Sequence, residues 1–233
     1  MNNNIVSLKK FYCEVWCKLD KITDSDKILY KIFNSELDKN PHINLTRIAT
    51  LSKLYYAPVD NISDMIEVIN ECMEEHECNN KNCKKILEYD CVIYKYTSKG
   101  NNKLQSFISK YCHWYNEVNN RQATPIIDKY IKSALHCKNY NDVNDKINSI
   151  IANLKTQNNQ RIDLDNCISL GDNILYQNIS IYRLIDKYLW TYQKFKVKND
   201  KETNNDIILN FNENFNEKTF KENFDEKTFN EIT

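Results

Sequence analysis

Glycine and proline are scarce in this sequence, with 2 and 3 of them among 233 residues. Tight β-turns and phosphate-binding loops need glycine where the backbone takes a positive φ. With only Gly100 and Gly171, the chain contains no G-x-G-x-x-G, P-loop or G-x-S-x-G motif. The shortage argues against nucleotide-binding folds and favours helices over sheets.

A long apolar run is also missing, because no stretch approaches the roughly 18 apolar residues that span a bilayer. Residues 1–8 lack the apolar segment of a secretory leader. The 32 Lys and Arg residues balance 32 Asp and Glu residues, so no net charge attracts nucleic acid. We expect neither a transmembrane segment nor a nucleic-acid partner. We favour an intracellular location over the alternative of export or display on a host-cell surface.

Apolar residues recur every three or four positions through residues 1–198, a spacing typical of amphipathic helices. The first stripe comprises Ile5, Leu8, Phe11, Tyr12, Val15, Trp16 and Leu19. The pattern predicts an all-α fold, a bundle of about eight to nine helices that forms one domain or two lobes meeting near Gly100. Residues 86–96 also suit a strand. Thr124 is predicted to cap a helix that has Pro125 in its first turn.

Residues 199–233 form a polar tail, in which ENFNEKTFK at 213–221 is nearly repeated as ENFDEKTFN at 222–230. Nine residues correspond to about two and a half helical turns, so successive repeats would face opposite directions on a helix. Because no continuous apolar stripe results, we predict a low-complexity, disordered tail.

The nine cysteines fit either a disulfide framework or a set of reduced thiols and metal ligands. We favour reduced thiols, because a chain of this length buries a core without disulfides. The best metal-ligand cluster combines four soft or borderline ligands in one short segment, namely Cys72, His76, Cys78 and Cys83. Cys91 could substitute for one of them. It predicts a zinc-stabilised structural domain. The competing interpretation is a core residue at Cys72 and loop thiols at Cys78 and Cys83.

Cysteine stands next to histidine at Cys112–His113 and at His136–Cys137, the residue types of a nucleophile and its base. Neighbours on a helix diverge by about 100°, so neither pair makes contact within its helix. We interpret them as packed thiols and surface imidazoles. The sequence therefore predicts no catalytic residue, no cofactor other than zinc and no enzymatic activity. An enzyme whose site is assembled from distant residues is the remaining alternative.

Tyr111, Trp114 and Tyr115 are candidate partner-binding residues, because aromatic side chains dominate interface hot spots. Core packing is the competing interpretation of this stripe, and tyrosine-rich faces also suit a homodimer. Three N-glycosylation sequons begin at Asn44, Asn61 and Asn178. All three lie at predicted helix starts, so we interpret them as helix caps.

The composition, poor in glycine and rich in Asn, Lys, Ile and Tyr, resembles that of proteins from intracellular parasites and large DNA viruses with AT-rich genomes. This resemblance carries no residue roles. With the lack of a catalytic motif, it leads to our functional hypothesis of a non-enzymatic module that binds an unidentified protein. Such a module would be a lineage-specific parasite antigen or a viral or parasite host-modulating factor.

Overall fold

The structure of the protein is a computed structural model. It describes residues 3–14, 20–40, 42–75, 87–119, 121, 123–154, 161–164 and 178–199. The predicted disordered tail lies outside these residues, apart from Asn199, so that prediction stays untested.

The described part contains nine α-helices, one 3₁₀-helix and two short strands. In chain order they are α1 (Asn3–Glu14), α2 (Asp20–Phe33), the 3₁₀-helix η1 (Ser35–Lys39), α3 (Ile43–Tyr55), α4 (Ile62–Glu75), α5 (Tyr89–Ser98), α6 (Gln105–Val118), α7 (Lys129–Ala134), α8 (Tyr140–Asn153), β1 (Arg161–Asp163), β2 (Asn178–Ser180) and α9 (Ile181–Asn199).

Helices account for 73% of the described residues, which confirms the predicted all-α class. The region that also suited a strand is helical from Tyr89 onward, as α5. The two strands were not predicted. They pair antiparallel with Ile162 opposite Ile179, and three-residue strands are too short for a period-2 pattern to be recognised.

The chain divides into two compact units, one formed by residues 25–127 and the other by 1–24 with 128–233. In the unit of residues 25–127, α3 packs against α4 and α6, and α5 packs against the same two helices. Gly100 has a φ of 83° in the turn between α5 and α6. Gly100 therefore lies inside the unit of residues 25–127, and the predicted domain limits, residues 1–198 with a tail from 199, stay a prediction.

In the other unit, α9 packs against α1, α7 and α8. Phe11 of α1 meets Tyr188 of α9 edge to face, with ring centroids 5.2 Å apart. The Ser180 hydroxyl accepts a hydrogen bond from the Arg183 amide at 3.2 Å, so Ser180 caps α9.

The helix predicted to begin at Thr124 is shorter than expected. Residues 123–128 are not helical, and Asp128 caps α7 by accepting from the amides of Tyr130 and Ile131. The polar groups of this segment bond instead to side chains of α6. Ser109 Oγ accepts from the Ile127 amide at 3.0 Å, and His113 Nδ1 lies 2.7 Å from the Thr124 carbonyl oxygen. Thr124 is therefore not a cap.

None of the described helices is both long and apolar enough to cross a membrane.

Candidate functional site

Tyr111, Trp114 and Tyr115, the predicted partner-binding residues, are buried on α6 with at most 1% of each side chain exposed. A side chain with so little accessible area cannot present a surface to a partner in this fold. The structure thus corrects the expectation of an exposed anchor and favours the core interpretation of the stripe.

The polar atoms of these three residues are satisfied inside the core. Tyr111 Oη donates to Asn44 Oδ1 at 2.9 Å, and Trp114 Nε1 donates to Tyr55 Oη at 3.1 Å. Tyr115 Oη donates to Asp38 Oδ2 at 3.0 Å. Burial raises the pKa of Tyr111 and Tyr115 above the ordinary tyrosine value, while Arg47 opposes this shift for Tyr111. Both phenols therefore remain protonated donors at neutral pH.

Arg47 organises this polar cluster, although it is fully buried. Its Nη1 lies 2.7 Å from Asp38 Oδ1. Nε donates to the Ile32 carbonyl at 2.8 Å and Nη2 to the Asn34 carbonyl at 3.0 Å. Burial of a guanidinium is tolerated because a charge and several acceptors surround it. Sequence reasoning missed Arg47, yet the signal was there: it follows the buried Ile43 by one helical turn and precedes the buried Leu51 by another.

Cys72, the first residue of the predicted zinc set, forms a disulfide with Cys91 that joins α4 to α5, with Cα atoms 6.2 Å apart. Cys13 is disulfide-bonded as well. These bonds differ from the expected reduced thiols. A disulfide sulfur is not a thiolate, so Cys72 is not available to zinc in this structure. His76, Cys78 and Cys83 lie outside the described residues, and a zinc site in the reduced protein stays a prediction.

Among the described residues, no group of three or more histidine, cysteine or acidic side chains is arranged to hold a metal ion. Cys112 and Cys137 are free thiols. Burial raises the pKa of both thiols above the ordinary value, so they stay protonated near neutral pH and are weak nucleophiles. The imidazole of His113 is buried rather than at the surface, with Nδ1 at the Thr124 carbonyl. His136 is exposed, as expected.

Two other tyrosines of the unit of residues 25–127 are the large apolar side chains with the greatest exposure in the described part of the chain. Tyr56 is 89% exposed and Tyr94 is 74% exposed. Tyr94 projects from the face of α5 opposite the buried Val92, Ile93 and Tyr96. We refer to Tyr56 and Tyr94 as the exposed tyrosines.

Tyr56 has an unusual backbone conformation, with φ 49° and ψ 42° at the carboxyl end of α3. Its amide and that of Ala57 both donate to the Ser52 carbonyl, as in a Schellman-type helix end where glycine is the common residue. A side chain in this left-handed region costs about 1 kcal/mol. The structure therefore holds a large, exposed aromatic ring at a position that favours glycine.

No family model matches the chain, and neither a curated protein nor a solved structure is significantly similar to it.

Proposed function

We propose that the chain is a non-enzymatic protein-interaction module that binds its partner through the exposed tyrosines. Tyr56 carries the proposal. An exposed aromatic ring on a strained backbone brings no packing gain that would offset its cost, and such outliers concentrate at functional positions. Tyrosine is also enriched in interface hot spots.

The core beneath these residues provides a rigid support. Arg47 ties α3 to the segment of Ile32 and Asn34, and the disulfide joins α4 to α5. A preorganised surface loses little conformational entropy when it binds. The buried cluster would thus act as the scaffold of the module.

The disulfides support a role outside the reducing cytosol, because such bonds persist mainly in oxidising compartments. On this ground the proposal takes the alternative location, export or display at the host-cell surface, in preference to the intracellular one. A lineage-specific antigen or host-modulating factor is the class of interaction module that such a location suits.

Site-specific photocrosslinking tests the proposal. A photoreactive phenylalanine analogue replaces Tyr56 in one variant of the full chain and Tyr94 in a second. In a third variant, the control, it replaces Glu36, an exposed residue of η1. We expect the analogue at position 56 and the analogue at position 94 to crosslink to the same host-cell surface protein. The analogue at position 36 should not crosslink to it. A product of twice the chain mass would identify a second copy as the partner.

The captured protein is then purified and its affinity is measured against alanine variants. Tyr56→Ala and Tyr94→Ala should each weaken binding by about 10-fold or more, equivalent to about 1.4 kcal/mol, while Glu36→Ala leaves the affinity unchanged. Equal adducts from all three positions, or equal affinities of the variants, would contradict the proposal.

A further inference from the structure

The structure distinguishes the three glycosylation sequons, which look equivalent in the sequence. Asn44 is only 7% exposed. Its Nδ2, the atom that would carry a glycan, donates to Asn70 Oδ1 at 2.7 Å. It is one of the buried residues of α3 rather than its cap. A glycan attached to Asn44 could not be accommodated in this fold.

Asn178 lies within the β-ladder, opposite Asp163. Arg161 clamps it from the neighbouring strand, with Nε donating to Asn178 Oδ1 at 2.5 Å and Nη2 donating to the Asn178 carbonyl at 3.1 Å. The other two residues of this sequon are buried, with Ile179 1% and Ser180 2% exposed, so the sequon is not accessible in the folded protein.

Asn61 has the geometry of an acceptor. It lies before α4, and its Oδ1 accepts from the Asp64 amide at 3.1 Å, which makes it a helix cap. Nδ2 makes no hydrogen bond to any described residue. Ile62 is 38% exposed, and Ser63 is exposed with its hydroxyl unbonded to the described residues. Ile62 and Ser63 thus lie at the surface, and Asn61 is half-buried.

We propose that Asn61 is the acceptor of an N-linked glycan. Capping and glycosylation are compatible here, because the cap uses only Oδ1, which remains an acceptor after substitution at nitrogen. In the reaction, Nδ2 bonds to the anomeric carbon of an oligosaccharide linked to a polyprenyl diphosphate. The bond between that carbon and the diphosphate oxygen breaks, the diphosphate leaves with the electron pair, and Nδ2 loses one proton.

The disulfides add an independent observation, since the compartment that forms them in exported eukaryotic proteins also carries out N-glycosylation. The proposal concerns the site itself and does not depend on the exposed tyrosines. A glycan at Asn61 would stand in the connection between α3 and α4, outside the hydrogen-bonded backbone of either helix.

The test expresses the full chain behind a cleavable secretion leader in glycosylating eukaryotic cells. Glycan occupancy is measured from the gel shift removed by an amidase specific for N-glycans and from site mapping by mass spectrometry. We expect occupancy at Asn61 and none at Asn44 in the secreted, folded protein. Ser63→Ala should abolish the Asn61 glycan, whereas Thr46→Ala, which removes the Asn44 sequon, should leave it in place.

Asn61→Asp separates the two roles of the residue. Aspartate caps a helix as well as asparagine does, so this variant should fold and secrete like the parent while carrying no glycan at position 61. Secreted protein that is unmodified at Asn61, or a Ser63→Ala variant with unchanged modification at Asn61, would overturn the proposal.

Discussion

At the scale of single residues, the left-handed backbone of the exposed Tyr56 lowers the free energy of unfolding. Replacing it with glycine removes the cost of the left-handed backbone, so Tyr56→Gly should raise the free energy of unfolding by about 1 kcal/mol. Urea denaturation of the two proteins measures this difference. The same substitution should weaken binding of the partner captured at position 56, because it deletes the aromatic contact.

His136 provides a matched control, since it is exposed and has a φ of 53° after α7. His136→Gly should bring a similar gain in stability with no change in partner affinity. If Tyr56→Gly instead lowers the free energy of unfolding, the ring stabilises the fold, and an exposed tyrosine at this position needs no functional explanation.

Arg47, in contrast to Tyr56, is a buried residue that we expect to stabilise the fold. In Arg47→Met the partly exposed carboxylate of Asp38 loses its cation, and the carbonyls of Ile32 and Asn34 lose their donors. Because these two carbonyl oxygens lose their donors, we expect the free energy of unfolding to fall by about 2 kcal/mol. Lys53→Met, at an exposed position of the same helix, should change it by less than about 0.5 kcal/mol. Similar losses in both variants would show that the ion pair has no special role.

At the scale of elements, the disulfide between Cys72 and Cys91 secures the packing of α5 on α4. It closes a loop across a sequence separation of 19 residues, for which the loss of unfolded-state entropy is about 3 kcal/mol. The double variant Cys72→Ala, Cys91→Ala should therefore unfold at a lower urea concentration than the parent under non-reducing conditions. Cys137→Ala, at a free cysteine, should leave the midpoint nearly unchanged. Equal midpoints of double variant and parent would mean that the bond does not stabilise the fold.

Helical elements could be predicted from sequence where a stripe of apolar residues is long. The stripe of residues 104–118 corresponds to α6, because periodicity reports the burial of one face. The segment of Thr124 to Ile127 could not be predicted in the same way. Its apolar spacing suits a helix, but side chains of Ser109 and His113, distant in sequence, bond to its backbone. Tertiary contacts override a local pattern in such cases.

At the scale of the whole molecule, the sequence predicted the all-α class, but it did not distinguish the buried tyrosines from the exposed ones. Fifteen tyrosines offer many candidate stripes, and periodicity identifies which residues share a face without telling whether that face is covered. Burial of Tyr111 and Tyr115 and exposure of Tyr56 depend on packing between helices distant in sequence. The two-unit division has the same origin, since residues 1–24 belong with 128–233.

The tyrosine- and cysteine-rich core should make the whole molecule sensitive to alkaline pH. Burial raises the pKa of Cys112 from 9.0, and those of Tyr89 and Tyr111 from 10.0. Above pH 9 the unfolded chain therefore releases protons that the folded chain retains. The folded state then binds more protons, so the free energy of unfolding falls as pH rises, by about 1.4 kcal/mol per pH unit for each such group. Urea denaturation between pH 7 and pH 11 measures the slope.

The order of the ionisations gives the control. Because cysteine titrates first in the unfolded chain, Cys112 should dominate the decline between pH 9 and pH 10, and the tyrosines should steepen it above pH 10. Cys112→Ala should flatten the first interval and leave the second one steep, whatever its effect on stability at pH 7. An unchanged slope between pH 9 and pH 10 in this variant would show that the thiol of Cys112 ionises as readily in the folded protein as in the unfolded chain.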